Sequence, residues 1–326
     1  MSAVSRPGGA RTSKRLSRSL TVGVIGAGRV GSVIGAALEA AGHRIVSASG
    51  VSAATTSRIR LMLPRTRVVP PDQVPRGVDL LILAVPDDAL AGLVRGLAES
   101  GVIEPGQVVA HVSGAHGLAV LAPATKAGAR PLALHPAMTF TGRASDLDRL
   151  AGISFGVTAP DELRALATRL VADLGGSVEW VAENDRALYH AALAHGANHL
   201  TTLVNEALDR LRDAGVVHPE RVLGPLLRAS LENTLAHGDA ALTGPIARGD
   251  AGTVARHLAT LEQTAPDSVA VYRALARRTA DRAIASGRLR TADAAPLLGV
   301  LATSRNAGGD DGPLARTDVV TDPGVR

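Results

Sequence analysis

Ser113, His116, His135, His190, Asn198 and Arg248 are the residues of this chain whose types and settings suit proton transfer and anion binding. A histidine titrates near neutral pH, so it can hand a proton to a developing alkoxide or amine. Ser113 and His116 fall in HVSGAHG (111–117) and His135 in LHPAMTF (134–140), each following an apolar run. His135 is the first choice as acid; its plainer alternative is a strand-end imidazole bonded to backbone beside Pro136. His190 and Asn198 share the segment ENDRALYHAALAHGANHLTTLVNEAL (183–208). Wound as one α-helix at about 100° per residue, Asn198 falls about 80° from His190, with His195 at about 140° and His199 at about 180°. That face is polar yet almost uncharged over three turns, so it is expected to meet a cleft or a second subunit rather than bulk water. His195 and His199 have the i, i+4 spacing of zinc helices, but the Glu of H-E-x-x-H is missing and no metal is expected. Arg248, in ALTGPIARGDAGTVARHLATL (241–261), offers a planar fork to a carboxylate or phosphate; its alternative is an ion pair with Asp250.

Such groups need a scaffold, and the run TVGVIGAGRVG (21–31) supplies it. An apolar strand passes into a glycine turn and then an apolar helix, the arrangement that binds a dinucleotide pyrophosphate. Gly26 makes the tight turn, Gly28 permits close backbone approach, and Gly31 lets the helix pack on its strand. Ala27, Arg29 and Val30 complete the turn, and the helix N-terminus adds partial positive charge. Strand-like runs then alternate with helical patterns: strands at 20–25, 44–48, 66–69, 78–85, 107–112 and 130–134, helices at 29–41, 52–62, 88–98 and 117–126. Candidates at 152–158 and 177–181 flank a helix at 160–174 and extend the sheet. This predicts an α/β fold, a doubly wound Rossmann domain followed by an all-helical C-terminal domain, since only helical periodicity continues from Glu183. Ligands of such sheets sit beyond the carboxyl ends of the strands, where Ser113, His116 and His135 are expected. Val85-Pro86 would line the nicotinamide half, with Pro86 opening a helix capped by Asp87 or Asp88.

The second strand ends VSASGVSAATTSR, with no acid from Ile45 to Arg60. A carboxylate there would receive the ribose of NAD, so NADP is favoured over NAD. Ser49, Ser52 and Thr55 are candidate hydrogen-bond donors to the extra phosphate, and Arg58 or Arg29 the source of charge. An ordinary Ser-capped helix start with a solvated arginine is the alternative.

The net charge is +5, and the five cations among the first nineteen residues account for it. Residues 1–19 therefore read as a solubilising tail rather than a nucleic-acid arm, since no aromatics interleave the charges. Absence of an export-type apolar segment suggests a cytoplasmic protein, and no run suits a membrane helix. There is no cysteine, which excludes thiolate catalysis and cysteine-bound zinc. Aromatic residues are 2% of the chain, so Phe140, Phe155, Trp180, Tyr189 and Tyr272 are marked positions. The expected domains are a tail at 1–19, an NADP-binding domain at 20–182, a helical substrate and dimerisation domain at 183–302 and a second tail at 303–326.

Taken with VDLLILAVPDDAL, YHAALAHGANHL, LENT and ALTGPIARGDAGTV, these motifs resemble Rossmann-like proteins with a C-terminal domain of unknown function, described as NADP- or deazaflavin-dependent oxidoreductase-like. The resemblance runs over roughly 20–286 and places the chain beside 6-phosphogluconate dehydrogenase, ketopantoate reductase and pyrroline-carboxylate reductase. It implies an NADP-dependent reductase of a C=O or C=N in a small, carboxylate-bearing substrate, acting as a homodimer. Ser113 and His135 look like the serine and histidine loops of prephenate dehydrogenases. Ketopantoate reductases carry Lys, Asn and Asn where this chain has His190, Ala194 and Asn198. Lys126 is the only lysine outside the tail, so histidine would replace the lysine acid. The alternatives are a ketopantoate-type 2-oxoacid reductase, NADP–deazaflavin hydride exchange, and a nucleotide sensor without turnover.

Overall fold

The computed structural model describes Ser19–Ala302; of the expected tails at 1–19 and 303–326, all but Ser19 lies outside the described residues. Eight strands form one sheet in the order β3-β2-β1-β4-β5-β6-β7-β8. They are β1 (Thr21–Ile25), β2 (Arg44–Ser49), β3 (Arg67–Val68), β4 (Leu80–Leu83), β5 (Val108–His111), β6 (Arg130–Pro136), β7 (Ser154–Thr158) and β8 (Ser177–Trp180). Between them run α1 (Arg29–Ala40), α2 (Ala53–Met62), α3 (Asp87–Glu99), α4 (Ala122–Lys126), α5 (Ser145–Leu150) and α6 (Asp161–Asp173).

The central strand β4, LLIL, is apolar at every position because helices cover both faces of a parallel sheet. In β4, Leu80 and Ile82 enter one core with Val22, Val24 and Val108, whereas Leu81 and Leu83 enter the other with Ile25 and Val109. The strand order reverses between β1 and β4, which opens a binding crevice at their carboxyl ends. The expected continuation of the sheet by 152–158 holds, but β7 runs antiparallel to β6.

The expected single helix from 183 is three pieces: α7 (Arg186–Leu193), a π-turn at Ala194–Asn198 and α8 (His199–Asp213). A π-turn bonds i to i+5 and widens the helix. The angles expected for His195, Asn198 and His199 therefore do not apply, since residues past Ala194 no longer advance by about 100°. The chain divides into compact units between His199 and Leu200 rather than at 182–183, because Arg186 and Tyr189 are held by the sheet domain.

The second unit holds the rest of α8, α9 (Pro219–His237), α10 (Gly244–Ala247), α11 (Ala251–Thr264), α12 (Pro266–Ala285) and α13 (Thr291–Leu301). Its core joins Val254 and Leu258 of α11, Ala276, Ala280 and Ala283 of α12, and Leu297 of α13. By contrast α8 has no buried residue and α9 only Pro219. No helix among the described residues is long and apolar enough to cross a membrane.

Candidate functional site

Gly26 takes φ +80°, and a Cβ there would lie 2.7 Å from the Ala84 carbonyl oxygen. The same Cβ would be 2.9 Å from Val85 Cγ1, so the β4 loop, Val85-Pro86, packs directly on the glycine turn. At Gly31 a Cβ would lie 2.6 Å from the Gly26 carbonyl oxygen, whereas at Gly28 it would meet only that oxygen at 3.8 Å. Gly26 and Gly31 thus shape the protein, and Gly28 leaves open space. The amides of Gly26 and Ala27 donate to the Ser49 carbonyl at 3.2 and 2.9 Å, which ties the turn to β2. The first N–H groups of α1, on Arg29, Val30 and Gly31, have no carbonyl of their own helix to bond and suit a pyrophosphate. Pro86 is the N-cap of α3 rather than its first residue; Asp87 and Asp88 stand in the first turn without capping.

At the adenosine end, Ser52 caps α2, accepting from the Thr55 amide at 3.1 Å. Its oxygen serves the helix, as in the plainer reading. The Ser49 side chain is buried. Arg58, half-buried on α2, donates from Nε to the Gly142 carbonyl at 3.2 Å.

His135 is the penultimate residue of β6, not a loop residue. Its register partner is Gly156 of β7, where a Cβ would come within 2.5 Å of the Tyr189 hydroxyl oxygen. Glycine there lets the Tyr189 ring lie on the sheet, and the hydroxyl meets His135 Nδ1 at 2.9 Å. The His190 ring stands edge-on to His135 with centroids 6.1 Å apart. Gly114, in the Ser113 loop, closes the cluster: a Cβ there would be 2.6 Å from His190 Cδ2 and 3.0 Å from His135 Nε2.

Beneath this cluster Arg186 is 1% exposed. Its guanidinium donates to the carbonyls of His116 at 2.8 Å, Gly156 at 3.0 Å and Ser113 at 2.8 Å. A buried charge is stable only when so satisfied. Arg186 also shapes the electrostatics. Burial first, then the Arg186 charge and His190, push His135 down to about 4. These surroundings favour the neutral ring of His135, whose Nδ1 is engaged by the Tyr189 hydroxyl.

His111, at the end of β5, is fully buried. Its Nδ1 accepts from the Ser113 amide at 3.2 Å while Nε2 donates to the Gly117 carbonyl at 2.8 Å. Ser113 Oγ accepts from the His116 amide at 3.2 Å and so forms the turn.

The structure thus gathers His135, His190 and Ser113 and binds His116 into the same loop through its carbonyl. Asn198 is exposed on the π-turn, next to the His195–His199 pair, whose Nδ1 atoms are 3.1 Å apart. Arg248 is exposed in the second unit, after α10; Asp250 caps α11 through the Thr253 amide at 3.0 Å and makes no ion pair with it. Sequence reasoning did not single out Arg186, Tyr189 as a functional group, or His111. The available signal was the scarcity of aromatics, which marks Tyr189, one residue before His190.

Residues 7–136 match the model of a Rossmann-like domain, and residues 153–279 match that of a domain of unknown function, DUF2520. No curated protein matches the chain. Among solved structures, a Bacteroides fragilis protein assigned as an NADP oxidoreductase is 21% identical with a TM-score of 0.70, covering 81% of this chain and 99% of that one. An imine reductase from Myxococcus stipitatus in complex with NADP+ is 16% identical (TM-score 0.59; 85% and 99% covered). Pyrroline carboxylate reductase from Plasmodium falciparum, with NADP bound, is 12% identical (TM-score 0.53; 85% and 98% covered). These likenesses establish the fold: a Rossmann-like sheet domain followed by a helical region matching DUF2520.

Proposed function

We propose that the chain is an NADP-dependent oxidoreductase that reduces a C=O or C=N bond of a small, carboxylate-bearing substrate. The observation that carries this reading is the His135–Tyr189–His190 cluster, set at the carboxyl ends of the strands whose first turn leaves helix amides open to a pyrophosphate. The two structural relatives holding NADP that are named above are, by their names, reductases of pyrroline carboxylate and of imines, which supports C=N reduction here. The glycine turn, Arg29 and Val30 would hold the cofactor's phosphates, and Val85-Pro86 would meet its nicotinamide, which supplies hydride when bound.

The protein's own part is polarisation and protonation. Neutral His135, bonded through Nδ1 to Tyr189, polarises the acceptor as a hydrogen-bond donor from Nε2. His190, half-buried beside it, passes the proton, and Ser113 orients the acceptor. Loss of NADPH absorbance with a panel of 2-oxoacids and cyclic imines identifies the acceptor. On it, His135→Ala and His190→Ala should each lower turnover by about 10²–10⁴ with NADPH binding retained. Full activity of both variants refutes the assignment.

The reading includes a homodimer. Leu203 of α8 and Leu226, Leu231 and Leu235 of α9 are exposed, and Leu203, Leu211 and Leu223 face a cavity of about 640 Å³. Helices with so little burial are marginal alone and need a partner always at hand, which a second copy is. Light scattering should give a dimer and Leu226→Glu with Leu235→Glu a monomer; a monomeric parent at micromolar concentration excludes it.

A further inference from the structure

The turn after β6 is built around a buried carboxylate that the chemistry above does not use. Asp146 of α5 is 0% exposed. It accepts from the Thr141 amide at 2.7 Å, the Thr141 hydroxyl at 2.9 Å and the Gly142 amide at 2.7 Å. Burial works against its charge, but the bonds from Gly142 and Thr141 outweigh it and hold the carboxyl below its ordinary range. The turn is thereby pinned with Gly142 at φ +76°.

Two cations meet at that glycine. A Cβ on Gly142 would lie 2.7 Å from Arg58 Nε and 3.0 Å from Arg29 Cγ. Arg58 spends Nε on the Gly142 carbonyl, leaving its two terminal nitrogens without a protein acceptor among the described residues. Neither arginine has an ion pair there either. The stem of Arg29 and the Nε of Arg58 thus pack on the same turn, and an anion bound beside it would find guanidinium donors that no carboxylate of the described residues takes up. They stand at the first turn of α1 and on α2, beside the acid-free end of β2.

We infer that the Thr141–Gly142 turn, pinned by Asp146, is a positioning device that sets Arg29 and Arg58 on the 2′-phosphate of the cofactor and so decides NADPH over NADH. This rests on the NADP reading above and adds its determinant: a segment from the far half of the sheet, not the β2–α2 loop alone. A phosphate monoester carries nearly two negative charges and three acceptor oxygens, enough for both forks. The 2′-hydroxyl of NADH offers neither.

The test is Gly142→Ala in the full chain, titrated by fluorescence with NADPH, NADH, adenosine 2′,5′-bisphosphate and AMP. The nearest atom to the new methyl is Arg58 Nε, but the Arg29 Cα lies at 3.1 Å and the φ of +76° disfavours a side chain, so the variant shifts the turn together with the arginines it positions. The parent should bind NADPH at least about tenfold more tightly than NADH, and the variant should lose about tenfold for NADPH and the bisphosphate, the worth of one charged hydrogen bond. NADH and AMP should change by less than about twofold, as they lack the phosphate. A folded variant with the parent's NADPH/NADH ratio overturns the inference. Equal losses for both cofactors also overturn it, placing the arginines on the shared pyrophosphate. A parent without preference refutes the NADP reading itself. Thr141→Val, which removes one bond to Asp146, decides the matter if Gly142→Ala does not fold; it should lower the ratio, and an unchanged ratio overturns the inference.

Discussion

His111 should make this protein sensitive to mild acid, by an amount its surroundings set. Both ring nitrogens are committed: Nδ1 accepts from the Ser113 amide and Nε2 donates to the Gly117 carbonyl. Protonating Nδ1 would set two N–H groups against each other in a fully buried place. Burial is the largest cause that lowers the imidazole to about 4, opposed by the Gly117 bond and reinforced by Arg186 and His116. The unfolded chain binds this proton near 6.5 and the folded chain only near 4, so between those values the unfolded state holds more protons. Stability is then complete above about 6.5 and falls as the pH drops toward 4. From pH 7 to pH 5 the loss from this one group is about 2 kcal/mol. Urea unfolding at the two pH values, on the parent and on His111→Gln, isolates it: the parent should lose about 2 kcal/mol more than the variant. Equal losses, or a His111 ring resonance that titrates near neutrality in the folded protein, would refute the reasoning.

Gly28→Val should fold normally and lose dinucleotide binding, because a side chain there meets only open space until a pyrophosphate arrives; retained NADPH affinity would make the turn purely structural. Gly31→Val, by contrast, should unfold the sheet domain, its Cβ lying 2.6 Å from the Gly26 carbonyl oxygen, and circular dichroism distinguishes the two. Arg186→Met removes the donor shared by the Ser113, His116 and Gly156 carbonyls and should cost about 3–5 kcal/mol in urea unfolding. With that cation gone His135 should titrate at a higher pH, and an unchanged value by NMR would deny the coupling.

Local pattern alone carried the strand and helix order, the glycine turn, the acid-free end of β2 and the helical second half. Each is a matter of period, turn chemistry or missing side chains within a short window. The same window brought forward His135, which follows an apolar run, and His190, which lies on the polar, nearly uncharged face of a helical segment. It could not set their roles. Arg186 reads in sequence as an ordinary helix cation, yet it bonds a carbonyl 73 residues away and adds to the burial that lowers His135. Gly156 and Gly142 look like loop or strand glycines until Tyr189 and the two arginines are seen against them. The π-turn and the antiparallel β7 likewise depend on how segments pack. Sequence periodicity determines which faces are apolar. Burial and hydrogen-bond partners decide charge state and orientation, and these are set by residues distant in the chain that only the folded sheet brings together.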